Sequence, residues 1–161
     1  MRLLIQNTQP PASNVIYIAY AEFMKKVNNM IISDQHIREL ALDSSQSFIV
    51  QAPAGSGKTE LLTQRYLRLL SQVNYPEQIL AITFTKKASA EMRNRIVKAL
   101  ERAADDNEPE AAHAKTTWHL ARKVLQHQQQ QDWQLVNNPN RLRILTIDAF
   151  CAYLVRQMPL L

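Results

Sequence analysis

Residues 50–59 read Val-Gln-Ala-Pro-Ala-Gly-Ser-Gly-Lys-Thr. The chain has 161 residues and only two glycines, Gly55 and Gly57, and both fall inside this stretch. Glycine is wanted where the backbone must take φ > 0 or come very close to another group. The apolar run Phe48-Ile49-Val50 precedes the stretch, and a helical pattern follows it. The expected arrangement is a strand ending at Gln51, a turn, and a helix starting near Lys58. In such a turn successive backbone N–H groups point inward at the positive end of the helix, where they cradle phosphate oxygens. A plain surface turn is the alternative, and the flanking strand and helix patterns disfavour it.

The spacing is that of a P-loop, G-x-x-x-x-G-K-[ST], with Ala52 in place of the first glycine. That position shapes the turn rather than contacting phosphate, so alanine fits there if its φ is negative. The candidate nucleotide-binding residues are therefore Ala52, Pro53, Ala54, Gly55, Ser56, Gly57, Lys58 and Thr59. Lys58 is expected to reach the β and γ phosphates, and the Thr59 hydroxyl to bind Mg²⁺. These two are the residues expected to take part in catalysis.

Bulk properties set the frame. A hydrophobic share of 46% and a charged share of 20% describe a globular domain rather than a disordered chain. The net charge of +5 favours, weakly, a polyanionic partner such as nucleic acid. The lone cysteine, Cys151, excludes an internal disulfide and suits a reducing cytoplasm. His36, His113, His119 and His127 have no metal-type spacing with it or with each other. No segment approaches the roughly 18 uninterrupted apolar residues of a membrane span. Gln6, Asn7, Gln9 and the Pro10-Pro11 pair spoil a signal-peptide core at the N-terminus. The expected setting is cytoplasmic, with no membrane partner.

Residues 1–30 look unlike the rest and read as an extension of unknown role. Ser33 is placed to cap a helix carrying Ile37, Leu40 and Ala41. After the P-loop, Leu62, Tyr66, Leu69 and Leu70 form the apolar stripe of a helix. The run Ile79–Phe84 predicts a strand buried on both faces. A long helix follows, with Ala88, Met92, Ile96, Val97 and Leu100 inward, ending in the acidic stretch 105–109. Residues 110–131 predict a further helix on the stripe Trp118, Ala121 and Leu125, within a helical insert of about 101–140. Leu142–Ile147 then reads as a third strand and Ala149–Gln157 as a last amphipathic helix. Strands alternating with helices predict an α/β domain with a parallel sheet flanked by helices.

A P-loop alone does not separate kinases, GTPases, transporters and motors. Three further stretches narrow the field. ILAITFTKKASAEMRNRI at 79–96 closely resembles motif Ia of superfamily 1 DNA helicases of the UvrD/Rep type. SDQHIREL at 33–40 places Gln35 where that family carries its Q-motif glutamine, and LTIDAFCAYLVRQ at 145–157 resembles motif Ib in its RecB/AddA-like form. The resemblance covers residues 31–161 and implies a RecA-like P-loop NTPase fold, the first part of a motor lobe. It implies ATP and Mg²⁺ as cofactors and single-stranded DNA as partner, and it admits nuclease or helicase partner subunits. Gln35 suits adenine, since an amide offers one donor and one acceptor. Thr83, Thr85 and Lys86 sit at the carboxyl end of a parallel strand, where ligands bind in open α/β sheets. There Thr83, Thr85, Lys86, Lys87 and Thr146 are candidates for DNA phosphate, and Phe84 for base stacking. The alternative for Thr85 is a helix cap, and for Phe84 a core position. Arg93, Arg95 and Lys98 read better as solvated surface.

The chain also departs from the family pattern. Lys86 stands where many relatives carry Asn, and Asp148 where a His usually follows the Thr-aromatic pair. Glu60 replaces an arginine that helps hold the nucleotide, which removes the expectation of that contact. Together with the long spacer between motifs Ia and Ib, these differences lean toward the RecB/AddA branch of recombination and double-strand-break repair.

A competing reading takes Ile144–Asp148 as a Walker B strand ending in a metal-binding aspartate, which would make a small P-loop kinase or NTPase. Against it, the glutamate that orients the attacking water is missing, since Ala149 follows. On the helicase reading the chain ends before any Asp-Glu motif and before the second motor lobe. The expectation is an amino-terminal piece of a longer 3′-to-5′ helicase or a truncated, non-catalytic product that binds nucleotide or DNA. By itself it is expected to bind MgATP without turning it over.

Overall fold

A computed structural model describes residues 34–105 and 107–158, apart from the side chains of Asp34, Gln35 and Ala112. The extension at 1–30 and the cap at Ser33 lie outside the described residues. The chain separates into two compact units, the first ending at Leu61 and the second beginning at Leu62.

In the first unit, helix α1 (Asp34–Ala41) buries Ala41 and leaves Leu40 exposed. It ends in a turn in which the amides of Leu42 and Asp43 donate to the carbonyls of Glu39 and Leu40. The Asp43 carboxylate then accepts from the Ser45 amide at 2.9 Å and the Ser45 hydroxyl at 2.7 Å. An aspartate that ties down the chain two residues on is a standard way to reverse direction. The strand expected over Phe48–Val50 is not formed: residues 47–50 have no regular structure, and Gln51 carries an isolated bridge. A strand exists only through its ladder, and these residues have none; Ile49 is accordingly exposed. Helix α2 (Lys58–Leu70) begins in this unit and runs into the next.

The second unit is built on two parallel strands, β1 (Leu80–Thr83) and β2 (Arg143–Thr146), paired in the register Leu80↔Arg143 through Thr83↔Thr146. Parallel strands need a long crossover, here helices α3 (Lys86–Ala104) and α4 (Ala112–Gln131), which pack on each other. Helix α5 (Ile147–Gln157) closes the described chain. Where three strands are expected, two occur among the described residues.

The core of this unit draws on α2, α3 and α4 but not on α5. Leu67 and Leu70 of α2, Ile96 and Leu100 of α3, Val124 of α4, and Leu135, Leu142 and Ile144 beyond it are all fully buried. Removing a side chain such as Leu100 would leave a cavity and cost about 2–5 kcal/mol. The segment expected as an insert therefore completes the core, and does so mainly through Leu120, Ala121 and Val124 rather than through Trp118 and Leu125. Arg122 also donates to the Ala103 carbonyl at 3.3 Å, satisfying an acceptor in the last turn of α3.

Two apolar predictions are corrected by the packing. In α2, Leu62 is 48% exposed, whereas Thr63, Gln64 and Leu67 are buried. Gln64 is accommodated because its amide donates to Thr117 Oγ1 at 3.0 Å and to the His113 carbonyl. In β1 only one side packs inward: Leu80 and Ile82 are exposed, so the strand is not buried on both faces.

The start of each strand is pinned by one acid. Glu77 lies in the 3₁₀ turn before β1, and Arg141 in the equivalent turn before β2. The guanidinium holds the carboxylate through both oxygens, at 2.7 and 3.3 Å. This hydrogen bonding from Arg141 lowers the Glu77 pKa below its ordinary value, and Glu77 raises that of Arg141 in return. Arg143 donates in addition to the Glu77 carbonyl at 3.3 Å.

Candidate nucleotide and nucleic-acid sites

The turn between Gln51 and α2 depends on its glycines. Gly55 has φ 75° and Gly57 has φ 80°, the left-handed region that L side chains rarely adopt. Ala52 is not among the positive-φ residues, so alanine stands there without strain. Gly57 accepts the first intrahelical bond of α2, from the Leu61 amide at 3.1 Å, which makes it the N-cap. Having no side chain, it brings no capping oxygen of its own to the first helical turn, whose positive end suits an anion.

Lys58 folds over the loop, its ammonium donating to the carbonyls of Ala52 at 2.6 Å and Pro53 at 2.5 Å. A polar atom on the same loop, Ser56 Oγ, is buried without a hydrogen-bond partner. An orphaned hydroxyl beside a glycine turn and an ammonium held by carbonyls is a donor set suited to phosphate oxygens. Thr59 follows in the first turn of α2. The Gln35 side chain lies outside the described residues.

One further residue of this site lies inside the stretch SDQHIREL, where its type alone signals no role. Arg38 of α1 donates through Nη2 to the Ser56 carbonyl at 2.6 Å. A Cβ placed on Gly57 would stand 3.3 Å from Arg38 Nη1. The only signal in the sequence is its position, three residues after Gln35 and so on the same side of a helix.

In the second unit, the other candidates gather at the carboxyl edge of β1 and β2. Thr83 and Thr146 are register partners there. The Thr83 hydroxyl donates to the carbonyls of Thr85 and, more weakly, Leu145. Thr85 is the N-cap of α3, its hydroxyl accepting from the Ala88 amide at 3.1 Å, and Thr146 caps α5 by accepting from the Ala149 amide at 3.2 Å. The capping alternative for Thr85 is thus what the hydroxyl does here, although the residue stays exposed. Thr146 is buried, at 8% exposure. Phe84 is 88% exposed and is not core. Lys86 and Lys87 are exposed in the first turn of α3. An exposed aromatic ring, two lysines and two helix N-termini share one edge.

Asp148 lies in the first turn of α5, exposed, two residues past the end of β2. Arg93 differs from its expected solvated role: its guanidinium donates to the Ile144 carbonyl at 3.0 Å and is partly buried. Arg95 pairs with Glu91 on the solvated side, and Lys98 is exposed, as expected for both. Among the described residues no helix is long and apolar enough to cross a membrane, and no cluster of three or more His, Cys, Asp or Glu is placed to hold a metal ion.

Known proteins are similar to this chain over most of its length. The family model of the UvrD/REP helicase N-terminal domain matches residues 33–159. An ATP-dependent helicase/nuclease subunit from Bacillus pumilus is 31% identical over 134 residues, covering 81% of this chain and 9% of the relative. Proteins of the same name from Desulforamulus reducens and Desulfitobacterium hafniense are each 35% identical, covering 69% and 74% of this chain. The chain spans 8% of the length of each of these two relatives. No solved structure matches. With a family model matching residues 33–159, the chain belongs to the UvrD/REP helicase N-terminal domain family.

Proposed function

We propose that this chain is the ATP-binding segment of a 3′-to-5′ DNA helicase or translocase acting in recombination or double-strand-break repair. The observation that carries the reading is the loop at 52–59, where two left-handed glycines precede a helix whose N-cap has no side chain. Support for the branch comes from the relatives named as helicase/nuclease subunits. That name also suggests a nuclease or helicase partner for this chain.

MgATP supplies the phosphoanhydride and the cation; the chain's own residues bind and orient them. The loop amides and the N-terminus of α2 offer donors to phosphate oxygens, and Lys58 exchanges its two carbonyl partners for them. Thr59 holds the cation and Gln35 the adenine. Single-stranded DNA is the second partner, with Phe84 stacking on a base and Thr83, Thr85, Lys86 and Lys87 along its backbone; Thr146, buried in its cap, is a candidate only for supporting this edge. Positive charge and two helix N-termini at one edge favour a polyanion without reading its sequence. The placement of Asp148 inside a helical turn weighs against the small-kinase reading, which needs a carboxylate at a strand end.

Calorimetric titration with MgATP tests the proposal. Lys58→Ala is expected to weaken binding about 100-fold or more, since it removes a charge-assisted contact, while changing stability little because the ammonium is at the surface. Equal affinities in the two proteins would sink the phosphate-loop assignment.

A further inference from the structure

A peptide group points its C=O and its N–H in opposite directions. The Ser56 carbonyl is drawn toward α1 by the Arg38 guanidinium at 2.6 Å. The amide of the same peptide belongs to Gly57, and it is therefore turned away from α1. A Cβ on Gly57 would stand 3.3 Å from Arg38 Nη1, so the guanidinium would have to give by a few tenths of an ångström to keep this contact. The left-handed φ of 80° is what demands glycine at this position, and the guanidinium packs close beside it.

We propose that Arg38 is a positioning residue for phosphate binding, fixing the Ser56–Gly57 peptide so that the Gly57 N–H faces the anion. The proposal rests on the nucleotide reading of the loop. A free peptide in a glycine turn flips readily between two orientations, because both signs of φ are open to glycine. A charge-assisted hydrogen bond on one face selects one of them before ligand arrives, and donors already aimed cost no reorganisation on binding. The guanidinium also brings a permanent positive charge to the loop, where Glu60 in the first turn of α2 brings a negative one. Arginine suits this task better than lysine, since its planar fork holds a carbonyl in a fixed direction.

The composition of the chain supplies a clean probe. With glycine at only two positions, protein labelled with nitrogen-15 glycine gives two backbone amide signals, those of Gly55 and Gly57. In the absence of ligand, Arg38→Met is expected to move the Gly57 signal and leave that of Gly55 nearly in place. On titration with MgATP, or with magnesium pyrophosphate as a probe without adenine, the variant is expected to bind about tenfold more weakly than the parent chain. Arg38→Lys retains charge without the fork and is expected to fall between the two. A thermal melt checks folding; if Arg38→Met does not fold, the Gly57 signal and affinity of Arg38→Lys decide. Binding that Lys58→Ala abolishes but Arg38→Met leaves within about twofold, with the Gly57 signal unmoved, overturns the role of Arg38 alone. Binding that Lys58→Ala leaves intact overturns the phosphate-loop reading beneath it.

Discussion

Three helices in this chain start at a turn where a ligand is proposed, and they start differently. α3 and α5 each follow a parallel strand, and each is sealed by its own threonine: Thr85 accepts from Ala88 and Thr146 from Ala149. α2 follows a glycine turn, and its N-cap has no side chain at all. The two kinds of turn divide the same physical resource, the unpaired amides of a first helical turn. A threonine oxygen uses one of them to stabilise the protein, typically by about 1 kcal/mol. Glycine brings no such oxygen, at a cost of only about a few tenths of a kcal/mol relative to threonine. The threonine-capped turns face a polyanion chiefly through side chains such as Lys86, whereas the glycine turn is proposed to meet a phosphate with its backbone.

The largest effect that would sharpen this contrast is at Gly57. Alanine there would be strained by φ and would push against the Arg38 guanidinium, so Gly57→Ala should lower stability by about 2 kcal/mol in chemical denaturation. Gly55→Ala meets nothing within 4 Å and bears the φ cost alone, so about 1 kcal/mol is expected. Equal losses would mean that Arg38 yields freely. Next come the caps: Thr85→Ala and Thr146→Ala should each cost about 1 kcal/mol while leaving MgATP affinity unchanged. A nucleotide effect from either would break the division between sealed and open turns.

A smaller effect is expected for DNA. The double variant Lys86→Ala, Lys87→Ala should weaken single-strand binding and reduce the log–log salt slope by ~0.7 for each phosphate that the two ammonium groups neutralise. An unaltered slope would leave these lysines as solvating groups. The smallest change concerns Glu77. Its pKa is lowered in the folded protein, so the pair with Arg141 stabilises above the unfolded-state carboxylate pKa, and that stability is lost as pH falls through the folded value. The carboxylate is 41% exposed, so solvent screening limits Glu77→Gln to about 0.5 kcal/mol at pH 7, vanishing in acid. A difference that persists at low pH would point to packing instead of charge.

The sequence was most readable where residue type dictates backbone. Two glycines in a chain that otherwise avoids them marked the loop, and both sit at positive φ. The apolar runs at 79–84 and 142–147 marked both strands of the sheet. Legibility ended where pairing decides. Phe48-Ile49-Val50 has the composition of a strand, but without a ladder it forms none. The Thr146 cap draws Ile147 and Asp148 into α5, two residues before the start expected from amphipathic pattern alone. In α2, a count of apolar residues missed Gln64, which is buried because α4 supplies its partners. At the candidate site, Arg38 and Arg93 were hidden for a related reason. Their value lies in single backbone carbonyls, Ser56 and Ile144, that no pattern of side chains reveals.

The length of α3 has a structural consequence. Its 19 residues make a rod about 28 Å long. One end is capped by Thr85, two residues past β1; near the other, the Ala103 carbonyl accepts from Arg122 of α4. One continuous helix thus links the edge that carries Phe84 and Lys86 to the Ala103–Arg122 contact, and α4 packs against that helix.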